Sequence, residues 1–139
     1  FFRRGVSATA VSDGHVQVMS ATMRQPGDCA VIISNSGRSR DLLDAAEIAR
    51  RKGATTIVIT ASGSPLARSA NNSAQQLLLA ADHPEDYDRY SPMVSRLLHL
   101  VIIDILTTGV ALRLGGELRP MLAEIKRNLR SKRYAKTEE

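Results

Sequence analysis

The stretch CAVIISNSGRSRD, residues 29–41, sets an apolar run directly against a turn of hydroxyls, glycine and arginine, then opens an amphipathic segment. The apolar part reads as a fully buried strand of the kind that lies inside a parallel sheet. The segment after the turn, residues 40–52, places Leu42, Leu43, Ala45, Ala46 and Ala49 on one helical face, and Gly53 ends it as a C-terminal cap. Strand, tight turn and helix together form the repeating unit of an α/β fold.

The same alternation continues on both sides. TTIVIT, residues 55–60, is a β-branched run; SPLARSA follows, with Ser64 at the N-cap and Pro65 at the first helical position; QQLLLAA, residues 75–81, is apolar again. Upstream, VSATAV at residues 6–11 reads as a weak strand and HVQVMSATM at 15–23 as a short helix. Strand and helix units joined by short loops imply parallel pairing through right-handed crossovers. The expected fold is therefore a three-layer, doubly wound parallel α/β sheet with helices on both faces. Beyond Asp82 the pattern changes to a polar loop, DHPEDYDRYSP, then a helix over about 90–114, a break at Gly115 and Gly116, and a helix over about 118–133.

The 139 residues, 43% of them apolar, suit one domain with one core. Nineteen basic against 14 acidic residues leave a net charge of +5, concentrated in KRNLRSKRYAK at 126–136. That run reads as a solvated helix face or as a surface for an acidic partner or nucleic acid. The single cysteine, Cys29, excludes an internal disulfide, suits a reducing compartment and is expected to pack. The chain shows no signal peptide, and its opening FFRRG reads as the last turn of a helix whose start is missing, as in a fragment of a longer protein. Residues 97–112 are the one membrane candidate. His99 and Asp104 interrupt them and they fall short of the ~20 apolar residues a span needs, so a buried helix is expected.

In open parallel sheets, ligands bind beyond the carboxyl ends of strands, where loops enter helix N-termini. SNSGRSRD lies at such a junction, and the following helix offers unpaired N–H groups and a positive dipole end to an anion. Ser34, Ser36 and Ser39 add hydroxyls, Asn35 an amide, Gly37 close backbone approach, and Arg38 and Arg40 charge. A phosphate fits this set; so does a plain turn in which Ser36 or Ser39 caps the helix. The turn lacks the Gly-Lys-Ser/Thr ending of the nucleotide P-loop and the G-x-G-x-x-G spacing of dinucleotide sites.

SNSGRSRDLLDAAEIARRKGATTIVITASGSPLA resembles the central part of a sugar isomerase (SIS) domain, whose S-x-S-G-x-S/T loop holds the phosphate of a phosphosugar. The likeness runs from FFRRG through YSPMVSRLLHLVIIDILTTGVALRLG and is strongest to effector domains of RpiR/HexR-family bacterial transcriptional regulators. The resemblance implies a cytoplasmic SIS phosphosugar-binding domain over residues 1–139 that senses a sugar-acid phosphate, ketodeoxyphosphogluconate in the HexR branch. It implies Ser34 and Ser36 as phosphate ligands, Ser39 next, and the backbone of Asn35, Gly37 and Arg38 alongside. It further implies that the family's first strand, a second serine-bearing loop and the DNA-binding helix-turn-helix domain are absent from this stretch, so DNA is reached only through that absent domain.

The competing function is a phosphosugar isomerase on the same scaffold. Many SIS isomerases resemble S-x-S-G-E-T at this loop, and here Arg38 stands at the glutamate position, which favours sensing over catalysis. Among possible bases, His99 in its apolar helix reads as a satisfied core or interface residue, His15 opens a short helix, and His83 lies in an acidic loop without regular metal-ligand spacing. Ser62 and Ser91 are turn or cap residues that could also line the pocket. No catalytic residue, metal, cofactor or membrane is assigned, and the apolar helix at 97–112 points to a homodimer.

Overall fold

The computed structural model describes residues 1–86, 93–130 and 132. It divides the chain into two compact units, Ala10–Val101 and a second formed by Phe1–Thr9 with Ile102–Glu139.

The first unit holds the sheet. Strands β1 (Cys29–Ile33), β2 (Thr55–Thr60) and β3 (Gln76–Ala80) pair in parallel in the order β1-β2-β3, joined by α2 (Arg40–Arg51) and α3 (Pro65–Asn71), with α1 (Gly14–Thr22) ahead of β1. The register lines up Ile32, Val58 and Leu78 across one face. Ala46 of α2 and Leu66 and Ala70 of α3 close over that row, with Leu42 and Leu43 at its margin. Alanines make the second contact: Ala45 and Ala49 of α2 meet Ala21 of α1 and Ala54, so the two helices approach closely. Each large apolar side chain buried in this way contributes roughly 1.5–3 kcal/mol.

The parallel α/β class is as the sequence implies. Two strand expectations are corrected. Residues 6–11 form no strand, because no described segment pairs with them and a β-sequence without a ladder has no partner for its backbone. β1 is not fully buried: it lies at the edge of the described sheet, and Cys29, Val31 and Ile33 are exposed while Ile32 alone is buried. The Cys29 thiol, expected to pack, keeps enough cover for burial to push its pKa up. Position β2, between two neighbours, takes the buried role instead, with Val58 and Ile59 wholly enclosed.

Local start and stop signals behave as their chemistry dictates. Asp13 accepts a hydrogen bond from Val16 N at the head of α1, Ser64 accepts one from Ala67 N with Pro65 in the first turn of α3, and Gly53 takes φ 82° after α2.

Helix α4 (Val94–Leu114) begins in this unit with an unusual cap. The Glu85 carboxylate accepts from Met93 N at 2.7 Å, Val94 N at 3.3 Å, Ser95 N at 3.0 Å and Ser95 Oγ at 2.8 Å, and both Glu85 and Ser95 are buried. These donors, Ser95 N first, hold the Glu85 pKa at about 2, down from the usual 4.5. The expected burial of α4 is corrected. Leu97, Leu100, Val101, Ile105 and Leu112 are all exposed, and Ser95 is its one buried residue, because no described element covers its apolar sides. The helix has 21 residues and a window of mean hydropathy 1.9, which is long and apolar enough to cross a membrane by length and composition.

In the second unit, a 3-10 turn at Phe2–Arg4 ends at Gly5 (φ 74°), a helical terminus as FFRRG implies. The Gly5 position faces the Met121 side chain of α5 (Leu118–Arg130). A second 3-10 turn, Gly115–Glu117, makes the expected break between α4 and α5. Arg119, Lys126, Arg127 and Arg130 are exposed on α5, while the rest of the basic run, Lys132 apart, lies outside the described residues.

Because the folded-state pKa of Glu85 is depressed, its contribution to stability is present above the unfolded value and is lost as pH falls toward 2. Glu85→Gln is expected to lower Tm at pH 7, with the gap to wild type closing between about pH 4.5 and pH 2. Thermal melts across that range check this, and a gap independent of pH would contradict it.

Candidate functional site

The loop from Ser34 to Ser39 leaves the carboxyl end of β1 and enters α2, and a neighbouring turn from β2 into α3 packs against it. Gly37 makes this packing possible. Its φ is +60°, and a Cβ there would lie 2.6 Å from both Ser64 Cβ and Thr60 Oγ1. No other residue combines that backbone with that clearance. Two bonds tie the loops together: Ser34 N donates to Ile59 O at 3.0 Å, and Leu66 N donates to Gly37 O at 3.2 Å. Under Gly37, Thr60 Oγ1 and Ser64 Oγ form a buried hydrogen bond at 3.2 Å.

Within the loop, Ser34 Oγ accepts from Gly37 N at 3.0 Å, which leaves its own proton available as a donor. Ser39 occupies the N-cap of α2 through its backbone, yet its side chain makes no capping bond. The expectation that Ser36 or Ser39 caps the helix is therefore corrected; no side chain of the turn takes that role. Among the described residues, the amides of Asn35, Ser36, Arg38 and Ser39 donate to no protein acceptor, and neither do the hydroxyls of Ser36 and Ser39. Ser34, Asn35 and Ser36 are half-buried, Gly37 is buried, and Arg38, Ser39 and Arg40 are exposed. Neither arginine forms an ion pair among the described residues. The result is a run of donors without partners among the described residues at the N-terminus of a twelve-residue helix, with two exposed arginines beside it.

Loops after the other strands complete the surroundings. Ser62 N donates to Asp82 Oδ1 at 2.8 Å, and this bond, with a further one from the Ser62 side chain, lowers the Asp82 pKa. Ser62 is thus engaged with the β3 loop. Ser91, the other expected pocket residue, lies outside the described residues.

His83 is the residue that the sequence left without a place. Its Nε2 lies 2.6 Å from Asn35 Oδ1, and its Nδ1 accepts from Glu85 N at 3.1 Å. The β3 loop is thereby bonded to the Ser34–Ser39 loop across 48 residues of sequence. A histidine followed by Pro84 and an acidic residue gave no sign of that partner, because the pairing depends on strand order. His99 is partly buried, but not satisfied as expected: its Nε2 has no hydrogen-bond partner among the described residues, and burial pushes its pKa down. His15 stands exposed near Asp13, with 3.9 Å between Nδ1 and Oδ1.

The chain is similar to known proteins over most of its length. The model of the SIS domain family matches residues 1–109. The chain is 43% identical over 134 residues to the HTH-type transcriptional regulator HexR of Pseudomonas aeruginosa, and 41% identical over 136 residues to HexR of Escherichia coli K12. These matches cover 96% and 98% of this chain and 45% of each relative, so the chain spans just under half their length. The bifunctional protein glk of Paraburkholderia xenovorans is 42% identical over 113 residues, 81% of this chain and 17% of that protein. Among solved structures, the Vibrio vulnificus NanR protein complexed with ManNAc-6P superposes with a TM-score of 0.79 at 23% identity, covering 96% of this chain and 49% of that one, which supports the fold.

Gly37→Ala is expected to destabilise the protein by at least about 2 kcal/mol, combining left-handed strain with displacement of Ser64 and Thr60. Denaturant unfolding of the variant reads this directly; an unchanged midpoint would show that the turn tolerates a side chain.

Proposed function

The chain belongs to the SIS domain family, and on that premise we propose that it is the phosphosugar-sensing effector domain of a bacterial transcriptional regulator of carbohydrate metabolism. The observation that carries this reading is the set of amides and hydroxyls between Ser34 and Ser39, at the head of α2, that have no partner among the described residues. A phosphate dianion satisfies several such donors at once, gains from the helix dipole, and meets Arg38 and Arg40 at the rim. Ser34 and Ser36 bind the phosphate oxygens, Ser39 and the loop amides assist, and Ser62 borders the sugar. We take ketodeoxyphosphogluconate, which the resemblance to the HexR branch implies, as the effector, with the regulator acting in the cytoplasm and DNA contacted by a helix-turn-helix domain of the full-length protein, in keeping with the HTH-type relatives.

Sensing is favoured over isomerisation by what surrounds the loop. Arg38, an exposed cation, stands where the isomerase pattern has a carboxylate, and His83 spends both ring nitrogens on Asn35 and Glu85. Incubation of the full-length protein with aldose and ketose phosphates is expected to yield binding and no interconversion.

Each charged hydrogen bond from a hydroxyl contributes roughly 1.5–3 kcal/mol, so Ser36→Ala is expected to weaken binding of ketodeoxyphosphogluconate about ten- to a hundredfold in calorimetric titration. Ser34→Ala should behave alike, and the loss from Arg38→Ala should shrink at high salt if Arg38 acts through long-range charge alone. Wild-type affinity in both serine variants would return the loop to a purely structural turn.

The exposed apolar residues of α4 support a homodimer in which this helix is covered. Sedimentation at tens of micromolar, as an approximate working range, should give a dimer or larger species. A compact monomer would remove this part of the proposal.

A further inference from the structure

The proposed phosphate loop contains one side chain that a phosphate alone does not need. Asn35 sits between Ser34 and Ser36, and nothing in a phosphate-binding turn requires an amide there, since backbone N–H groups and hydroxyls already supply donors. The structure nevertheless holds its orientation. His83 Nδ1 accepts from Glu85 N, so that nitrogen carries no proton, and in a neutral imidazole the proton lies on Nε2. Nε2 therefore donates into Asn35 Oδ1 at 2.6 Å. An asparagine whose oxygen is filled in this way has one arrangement left: its NH2 branch faces away from His83 as a pair of donors. Glu85, which fixes the Nδ1 side, is itself held by four bonds to the head of α4 and is buried, so the imidazole is anchored from a rigid position.

We propose that His83 is a positioning residue that locks the Asn35 amide with its NH2 turned toward the bound ligand, so that the site selects a sugar phosphate carrying a hydrogen-bond acceptor beside its phosphate. This rests on the phosphate reading of the loop. A free asparagine presents oxygen or nitrogen with equal ease and discriminates little. With Oδ1 occupied, a hydroxyl, carbonyl or carboxylate oxygen of the sugar is accepted and a group that can only donate is not. Phosphate is held by the serines and amides, and the acceptor by Asn35.

Two substitutions of His83 separate this role from a merely structural one. Glutamine puts an amide nitrogen near the place of Nε2 and keeps the donor to Asn35; asparagine puts an oxygen near Nδ1 and keeps the acceptor for Glu85 N but not the donor. In calorimetric titration of the full-length protein with ketodeoxyphosphogluconate, His83→Asn should lose about five- to tenfold in affinity, the value of one oriented hydrogen bond. His83→Gln should stay within about twofold of wild type. Asn35→Ala should lose as much as His83→Asn, and the two together no more than either, because they remove one interaction. Binding of inorganic phosphate should be equal in all four variants. Melting curves of the same variants exclude a general loss of structure. If His83→Asn binds as wild type while Ser36→Ala does not, the phosphate reading stands and the role of His83 is overturned. Equal losses in the Gln and Asn variants overturn it too, since the bond to Asn35 would then not be the cause. If Ser36→Ala also binds normally, the phosphate reading falls and takes this proposal with it.

Discussion

The candidate site depends on the space that Gly37 leaves open. With φ at +60° and no Cβ, the turn after β1 settles onto Thr60 and Ser64, the end of β2 and the cap of α3. Two βα junctions thereby become one floor. The backbone bond from Leu66 N to Gly37 O makes that floor rigid, and the bond from Ser34 N to Ile59 O continues the parallel ladder into it. A turn clamped in this way need not use its side chains to hold itself in place. That is why Ser39 can occupy the N-cap position without capping, and why loop amides have no acceptor among the described residues. Leaving them without protein acceptors is tolerable in a half-exposed loop, and the anion of the proposed function would satisfy them.

A second constraint works at β3. Glu85 takes the orphan amides that begin α4, which is the electrostatic complement of a helix N-terminus, and it does so from a buried position two residues after His83. One anion is therefore built into the protein at one helix start, while the start of α2 keeps its donors. The same backbone that carries Glu85 supplies the N–H that sets the tautomer of His83. Charge satisfaction at α4 and amide orientation at the α2 loop are thus linked through three consecutive residues and one imidazole.

Much of this was legible from residue order alone. The β-branched run at 55–60, the Ser64-Pro65 start and the Gly53 stop each state a local conformational preference, and locality is what a sequence displays best. The loop was legible for the same reason, since its serines, glycine and following helix are contiguous. Two failures share one cause. The burial of β1 and the strand at residues 6–11 depend on which strand lies alongside, and an apolar run such as CAVII looks the same at an edge as at a centre. The burial of α4 was misjudged likewise: apolarity all round says that cover is wanted, not that it is present within the chain. The pairing of His83 with Asn35 was out of reach because it needs β1 and β3 two strands apart in one sheet, with both loops at the same end.

These points bear on how a site of this kind separates holding from converting. A base for sugar isomerisation must exchange a proton with carbon, so its basic atom must face the ligand with a lone pair free and a pKa near the working pH. At this site the nearest imidazole has its lone pair engaged by Glu85 N and its proton directed to Asn35, and the residue at the rim is a guanidinium that cannot accept a proton at all. What the site presents to a ligand is a set of donors: amides, hydroxyls, the Asn35 NH2 and arginine. Donors alone bind and orient oxygen-rich anions without moving a proton. Under the proposed sensing role, such an arrangement spends its binding energy on occupancy, the quantity a sensor must report and an enzyme must avoid accumulating in its ground state.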